Sequence, residues 1–124
     1  MSAVVDLEQL RLMTSGDAEL AAEALGIFRS QAEVWGPLLD PKQGAETWAD
    51  ACHAIKGAAR SVGAMDLGEA CSKAETLGRS GEVSPAQAGV ALSDVKDRLG
   101  AAIEAIAELE HKLTMTGKFP EAKS

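Results

Sequence analysis

Residues 84–113 read SPAQAGVALSDVKDRLGAAIEAIAELEHKL. Ser84 can cap a helix, Pro85 suits the first helical position and Gln87 completes a capping box. Leu92, Val95, Leu99, Ala102, Ile106, Leu109 and Leu113 then recur at alternating spacings of three and four, or multiples of a turn. That is one unbroken apolar seam, about 20 residues long end to end, on a single helix. A seam of this length must be covered, and the rest of the chain has to supply the helices that cover it.

Working upstream, each segment offers a shorter version of the same pattern. Residues 66–79 open at Asp66, with Glu69 three residues on as a variant capping box. Their apolar face is Leu67, Ala70, Cys71, Ala74 and Leu77, closed by Ser80-Gly81. Residues 46–62 place Trp48, Cys52, Ile55, Ala59 and Val62 on one face, with Gly63 as a C-terminal stop. A helix from Asp17 carries Leu20, Ala24, Ile27, Phe28 and Trp35, and ends in the loop formed by Pro37, Pro41 and Gly44. A short helix over about Val5–Met13 precedes it, with Leu7 and Leu10 as its apolar spots; Ser15-Gly16-Asp17 breaks it. Four long amphipathic helices with short connections predict an all-α, up-down-up-down antiparallel four-helix bundle, with the short N-terminal helix over one end. The 124 residues form one domain, its ordered core about 5–113, and residues 114–124, with Gly117 and Pro120, are expected to be a flexible tail.

Composition narrows the function. The chain is 46% hydrophobic, rich in Ala and Leu, with no Tyr and two residues each of Phe and Trp. A net charge of −7 argues against nucleic acid and against an anionic membrane surface. No apolar run approaches the roughly 20 residues that cross a bilayer, and MSAVVDLEQL lacks the basic and apolar regions of a signal peptide, so the expected compartment is the cytoplasm. Cys52 and Cys71 lack CxxC spacing and read as buried thiols.

The chemistry concentrates in the third helix. His53 lies to one side of the Cys52–Ile55–Ala59 stripe, with Lys56 and Gly57 as its i+3 and i+4 neighbours and Arg60 on the same side. Gly57 costs roughly 1 kcal/mol relative to Ala inside a helix. In return it leaves room beside the imidazole. No carboxylate stands between Asp50 and Asp66, so the local field is positive within an acidic protein. A neutral imidazole is a competent nucleophile, and phosphoryl transfer asks chiefly for alignment and positive charge near the transferring oxygens. Ala49, one turn earlier, is also small and would let a protein surface approach. His111, near the end of the last helix, is given no role. Taken singly, each residue has a plain structural explanation: a surface His, a solvated Lys, a glycine at a close helix crossing. Their combination singles out His53.

His53-Ala54-Ile55-Lys56-Gly57, followed by Val62-Gly63-Ala64, resembles the signature of histidine-containing phosphotransfer (HPt) domains. Leu67-Gly68-Glu69-Ala70-Cys71 through Glu75, and Asp17 to Phe28, are similar to that family's following and preceding helices. The resemblance spans about Val5–Leu113. It implies a phosphocarrier of a two-component phosphorelay, not an enzyme with its own ATP site. His53 would take a phosphoryl group from one receiver-domain aspartate and hand it to another. It further implies that Lys56 stabilises the phosphoryl oxygens, Gly57 gives steric clearance, Glu75 orients the imidazole through its other nitrogen, and Arg60 adds local positive charge. Ala58 stands where a hydroxyl residue is frequent in the family. Leu7, Leu10 and Met13, with Ala49 and Ala64, would dock the receiver domain.

No metal or other cofactor is expected on this chain; Mg²⁺ belongs in the partner's aspartate pocket. The expected partners are receiver domains of response regulators or hybrid histidine kinases, and the expected state is a monomer. Two other classes were weighed. An autophosphorylating kinase would need a glycine-rich nucleotide loop and an acidic residue after the histidine, where Ala54 stands. A non-catalytic helical adaptor would not need a mid-helix glycine beside His and Lys. A metal site from Cys52, His53, Cys71 and His111 is disfavoured because sequence neighbours diverge around a helix.

Overall fold

A computed structural model describes residues 4–120. Five α-helices follow in order: α1 (Leu7–Met13), α2 (Ala18–Trp35), α3 (Ala45–Ser61), α4 (Met65–Arg79) and α5 (Pro85–Thr116), with a single 3₁₀ turn at Gly36–Leu38. The neighbour relations close a ring: α2 packs on α3, α3 on α4, α4 on α5 and α5 back on α2. Adjacent helices run antiparallel. Glu46 near the start of α3 meets Arg79 at the end of α4; Gly36, just past α2, lies against Leu99 in the middle of α5, while Arg29, earlier in α2, meets Glu110, later in α5. This is the all-helical bundle that the periodicities predict.

The helix starts follow local chemistry. Ser84 and Gln87 form the reciprocal capping box, and the Asp17 carboxylate accepts from the Glu19 and Leu20 amides. Asp6 does the same for Gln9 and starts α1 two residues later than expected. At α4 the expectation fails. The N-cap is Ala64, and Asp66 lies inside the first turn without capping it. The cause is the α3–α4 turn, where Gly63 adopts φ +81 and reverses the chain so tightly that Met65 is already helical.

The core holds Trp48, Cys52, Ile55, Ala59 and Val62 of α3 and the whole α5 seam from Leu92 to Leu113. On α2 the buried face is Ala21, Leu25, Phe28 and Ala32, a stripe shifted from the expected one. Of the residues expected inward, Leu20 and Ile27 face solvent and only Phe28 is fully buried. Gly78 lets α4 close on α3: a Cβ there would stand 2.7 Å from the Trp48 ring.

The C-terminal expectation also needs correction. Helix α5 continues through Thr116 and stops at Gly117, whose left-handed φ of 69 ends it. Phe119 then packs partly buried, with the Arg11 guanidinium 5.4 Å from its ring centroid, and Arg11 donates to the Pro120 carbonyl. Residues 114–116 therefore extend α5 and the segment through Pro120 folds back on α1; residues 121–124 lie outside the described part.

Cys52 and Cys71 are both fully buried free thiols. Burial, reinforced by the Glu75 charge near Cys52 and by the mutual proximity of the two sulfurs, pushes both thiols up to about 12. An unfolded chain ionises its cysteines near 8.5. Folding stability is thus unaffected by these groups below about pH 8.5 and falls as pH climbs from there towards 12. Denaturant titrations across that range should show a declining midpoint that Cys52→Ala/Cys71→Ala flattens. Thiol reagents should label the native protein only as fast as it opens.

Candidate functional site

The site sits where α3 and α4 face each other across the bundle edge. Because α3 buries Cys52 and Ile55, the 100° step per residue turns His53 outward, and its side chain is 65% exposed. Glu75 reaches it from α4. The carboxylate is pinned between two donors: Oε2 lies 2.9 Å from His53 Nδ1 and Oε1 lies 2.6 Å from Lys56 Nζ. Lys56 and Glu75 are largely shielded, at 19% and 14% side-chain exposure. Arg79 adds a longer contact, 3.5 Å, to the same Oε2.

This arrangement fixes the proton inventory. Partial burial of Glu75 opposes its ionisation, but the Lys56 hydrogen bond and charge, followed by those of His53, outweigh it and hold the carboxyl below the usual carboxylate range. An ionised carboxylate can only accept. His53 Nδ1 must therefore carry the hydrogen and donate it to Glu75. In the neutral ring that leaves Nε2, on the outward side, with a free lone pair.

Gly57 faces open space. A Cβ built there finds no atom within 4 Å, so this glycine serves no helix crossing. Arg60 is not drawn to the imidazole: its stem leans across α4 at Gly68, where a Cβ would stand 3.2 Å from Arg60 Cγ.

The expected docking residues divide by burial. Leu10, Ala49 and Ala64 are fully buried and have no surface to offer, which removes them as contact residues. Leu10 anchors α1, while Ala49 and Ala64 fill the α3–α4 side of the core. Met13 is exposed and Leu7 is half-buried, so both remain at the surface. Leu12, to which the periodicity assigns nothing, exposes 69% of its surface. Arg79 was also missed. Besides Glu75 it engages Asp50 at 2.8 Å and Glu46 at 3.4 Å. Among the described residues no group of three or more His, Cys, Asp or Glu is placed to hold a metal ion.

An oriented imidazole on the exposed surface of a helical bundle is open to the approach of another protein and encloses no small substrate. The comparisons name the class of protein. The Hpt domain family matches residues 3–111, and the chain belongs to this family, whose members carry phosphoryl groups on histidine in phosphorelays with receiver domains. The crystal structure of the histidine phosphotransferase ShpA from Caulobacter crescentus resembles it with a TM-score of 0.73. The two are 36% identical over 93% of this chain and 98% of that one. A comparison with curated proteins gives no match.

Proposed function

We propose that His53 is the phosphoacceptor, and that the protein relays the group between aspartates of two receiver domains. The observation that carries this is the exposed ring with Nδ1 committed to Glu75 and Nε2 left outward. Nε2 attacks the phosphorus of the receiver's aspartyl phosphate. The P–N bond forms, the P–O bond to the aspartate breaks, and the carboxylate leaves with the electron pair. The ring keeps its Nδ1 hydrogen and becomes positively charged, and the Glu75 carboxylate stabilises that charge as it develops. Lys56 is one helical turn away and can turn from Glu75 towards the phosphoryl oxygens. The return step reverses each event.

On this reading the protein is a carrier without an ATP site, it acts as a monomer in the cytoplasm, and Mg²⁺ sits on the partner's carboxylates. No helix among the described residues is long and apolar enough to cross a membrane. The test is transfer of labelled phosphate from a phosphorylated receiver domain: wild type should accept it and His53→Gln should not. Labelled ATP alone should leave the protein unlabelled.

Gly57 supplies a separate prediction. Ala at this position should stabilise the isolated fold by about 0.5–1 kcal/mol, because helix propensity improves and nothing obstructs the new methyl. The same methyl stands beside the acceptor ring, where the partner must close in. Phosphotransfer should therefore slow about tenfold or more. A thermal melt and a transfer time course on one sample should move in opposite directions.

A further inference from the structure

The α3 helix sets Glu46, Asp50 and His53 along one side, at i, i+4 and i+7. Two carboxylates thus lead up to the acceptor ring, and Glu75 adds a third from α4. A phosphoryl group carries close to two negative charges. If Lys56 turns to that group, Glu75 loses its shortest partner, now at 2.6 Å. One cation touches all three acids. Arg79 sits one turn beyond Glu75 on α4, with NH2 on Glu75 Oε2, and NH1 on Asp50 Oδ1 and Glu46 Oε2.

We propose that Arg79 is a positioning residue for phosphotransfer: it keeps Glu75 seated against the His53 ring after Lys56 has swung to the phosphoryl group, and it masks Asp50 and Glu46 from the incoming dianion. The inference rests on the assignment of His53 as acceptor. The geometry makes the two tasks inseparable, because one guanidinium fork spans α3 and α4 and uses different nitrogens for each. Exposed ion pairs of this kind contribute little to stability, so the effect belongs to rate and not to folding.

The experiment compares initial rates of phosphoryl acceptance from a labelled receiver domain for wild type, Arg79→Gln, Asp50→Asn, the double variant and His53→Gln, at low and high salt. Arg79→Gln should slow acceptance about three- to tenfold at low salt. Adding Asp50→Asn should restore part of that loss, since it removes one charge Arg79 was masking while the seating of Glu75 stays lost. High salt should narrow the gap, because the screening length falls to roughly 3 Å at 1 M, shorter than the one helical turn between Asp50 and His53. A wild-type rate for Arg79→Gln overturns the proposal. So does an equal loss in the presence and absence of Asp50→Asn at every salt concentration, which would leave the masking of Asp50 no part in the effect. Label accepted by His53→Gln instead overturns the acceptor assignment, independently of the Arg79 comparison.

Discussion

His53→Gln should abolish acceptance of phosphate from a receiver domain, by on the order of a thousandfold or more, because it removes the attacking atom itself. Gln is the informative replacement. Its amide can still donate to Glu75 in place of Nδ1–H, so the Glu75–Lys56–Arg79 cluster keeps its partners. The position is exposed, and the substitution should move the melting temperature by no more than a few degrees. Binding to the receiver domain should survive within a few-fold. A variant that binds and melts normally but accepts no label separates chemistry from docking. Undiminished transfer would place the acceptor elsewhere, with His111 the remaining histidine.

Gly63→Ala should be the most damaging conservative change in the fold, costing about 2–4 kcal/mol and lowering the melting temperature by roughly 10 °C. Two independent penalties coincide at this residue. Its φ of +81 lies in the left-handed region that an L side chain resists. A Cβ would also stand 2.7 Å from the Asp6 carbonyl oxygen, which is backbone and cannot rotate aside. The contact exists because the Asp6 amide donates to the Gly63 carbonyl at 2.8 Å, and that bond fastens the start of α1 to the α3–α4 turn. Forcing the two apart releases α1, with Leu10 leaving the core. If α1 docks the receiver, as the resemblance to HPt domains implies, the consequence reaches function, since α1 carries the exposed Leu12 and Met13. Loss of receiver affinity should accompany the loss of stability, and should appear even at temperatures where α2–α5 remain folded. Circular dichroism melts with receiver-binding titrations at two temperatures would check both halves.

The parts of this molecule that were legible in its sequence are those governed by one strong periodicity. The α3 and α5 stripes contain large apolar residues at a single phase, so counting by threes and fours finds the buried face. Helix α2 carries two apolar stripes one residue apart. Leu20 and Ile27 weigh more in a reading by side-chain size than Ala21 and Ala32, yet tertiary packing favours the smaller pair, which lets the helix approach its neighbours. Asp66 looked like a cap because its chemistry suits one; the reversal at Gly63 had already started the helix. Leu10, Ala49 and Ala64 were assigned to a surface that only the relation between helices could show to be closed. The His53, Lys56 and Gly57 grouping is local, within one turn, and therefore visible. The reach of Glu75 to His53 spans 22 residues and entered by resemblance alone. Arg79 left no signal, because its Glu46 and Asp50 partners lie on another helix about 30 positions away.

The open space over Gly57 and the outward ring also govern how long a signal can be stored. Among the described residues none stands over Gly57, and the His53 side chain is 65% exposed, so a phosphoryl group on Nε2, as proposed, would meet water as freely as a partner. The lifetime of the cargo is then set by the intrinsic lability of a phosphorus–nitrogen bond, with no seal of the protein's own. Such a carrier leaks whenever no receiver is docked, and a stalled relay empties itself.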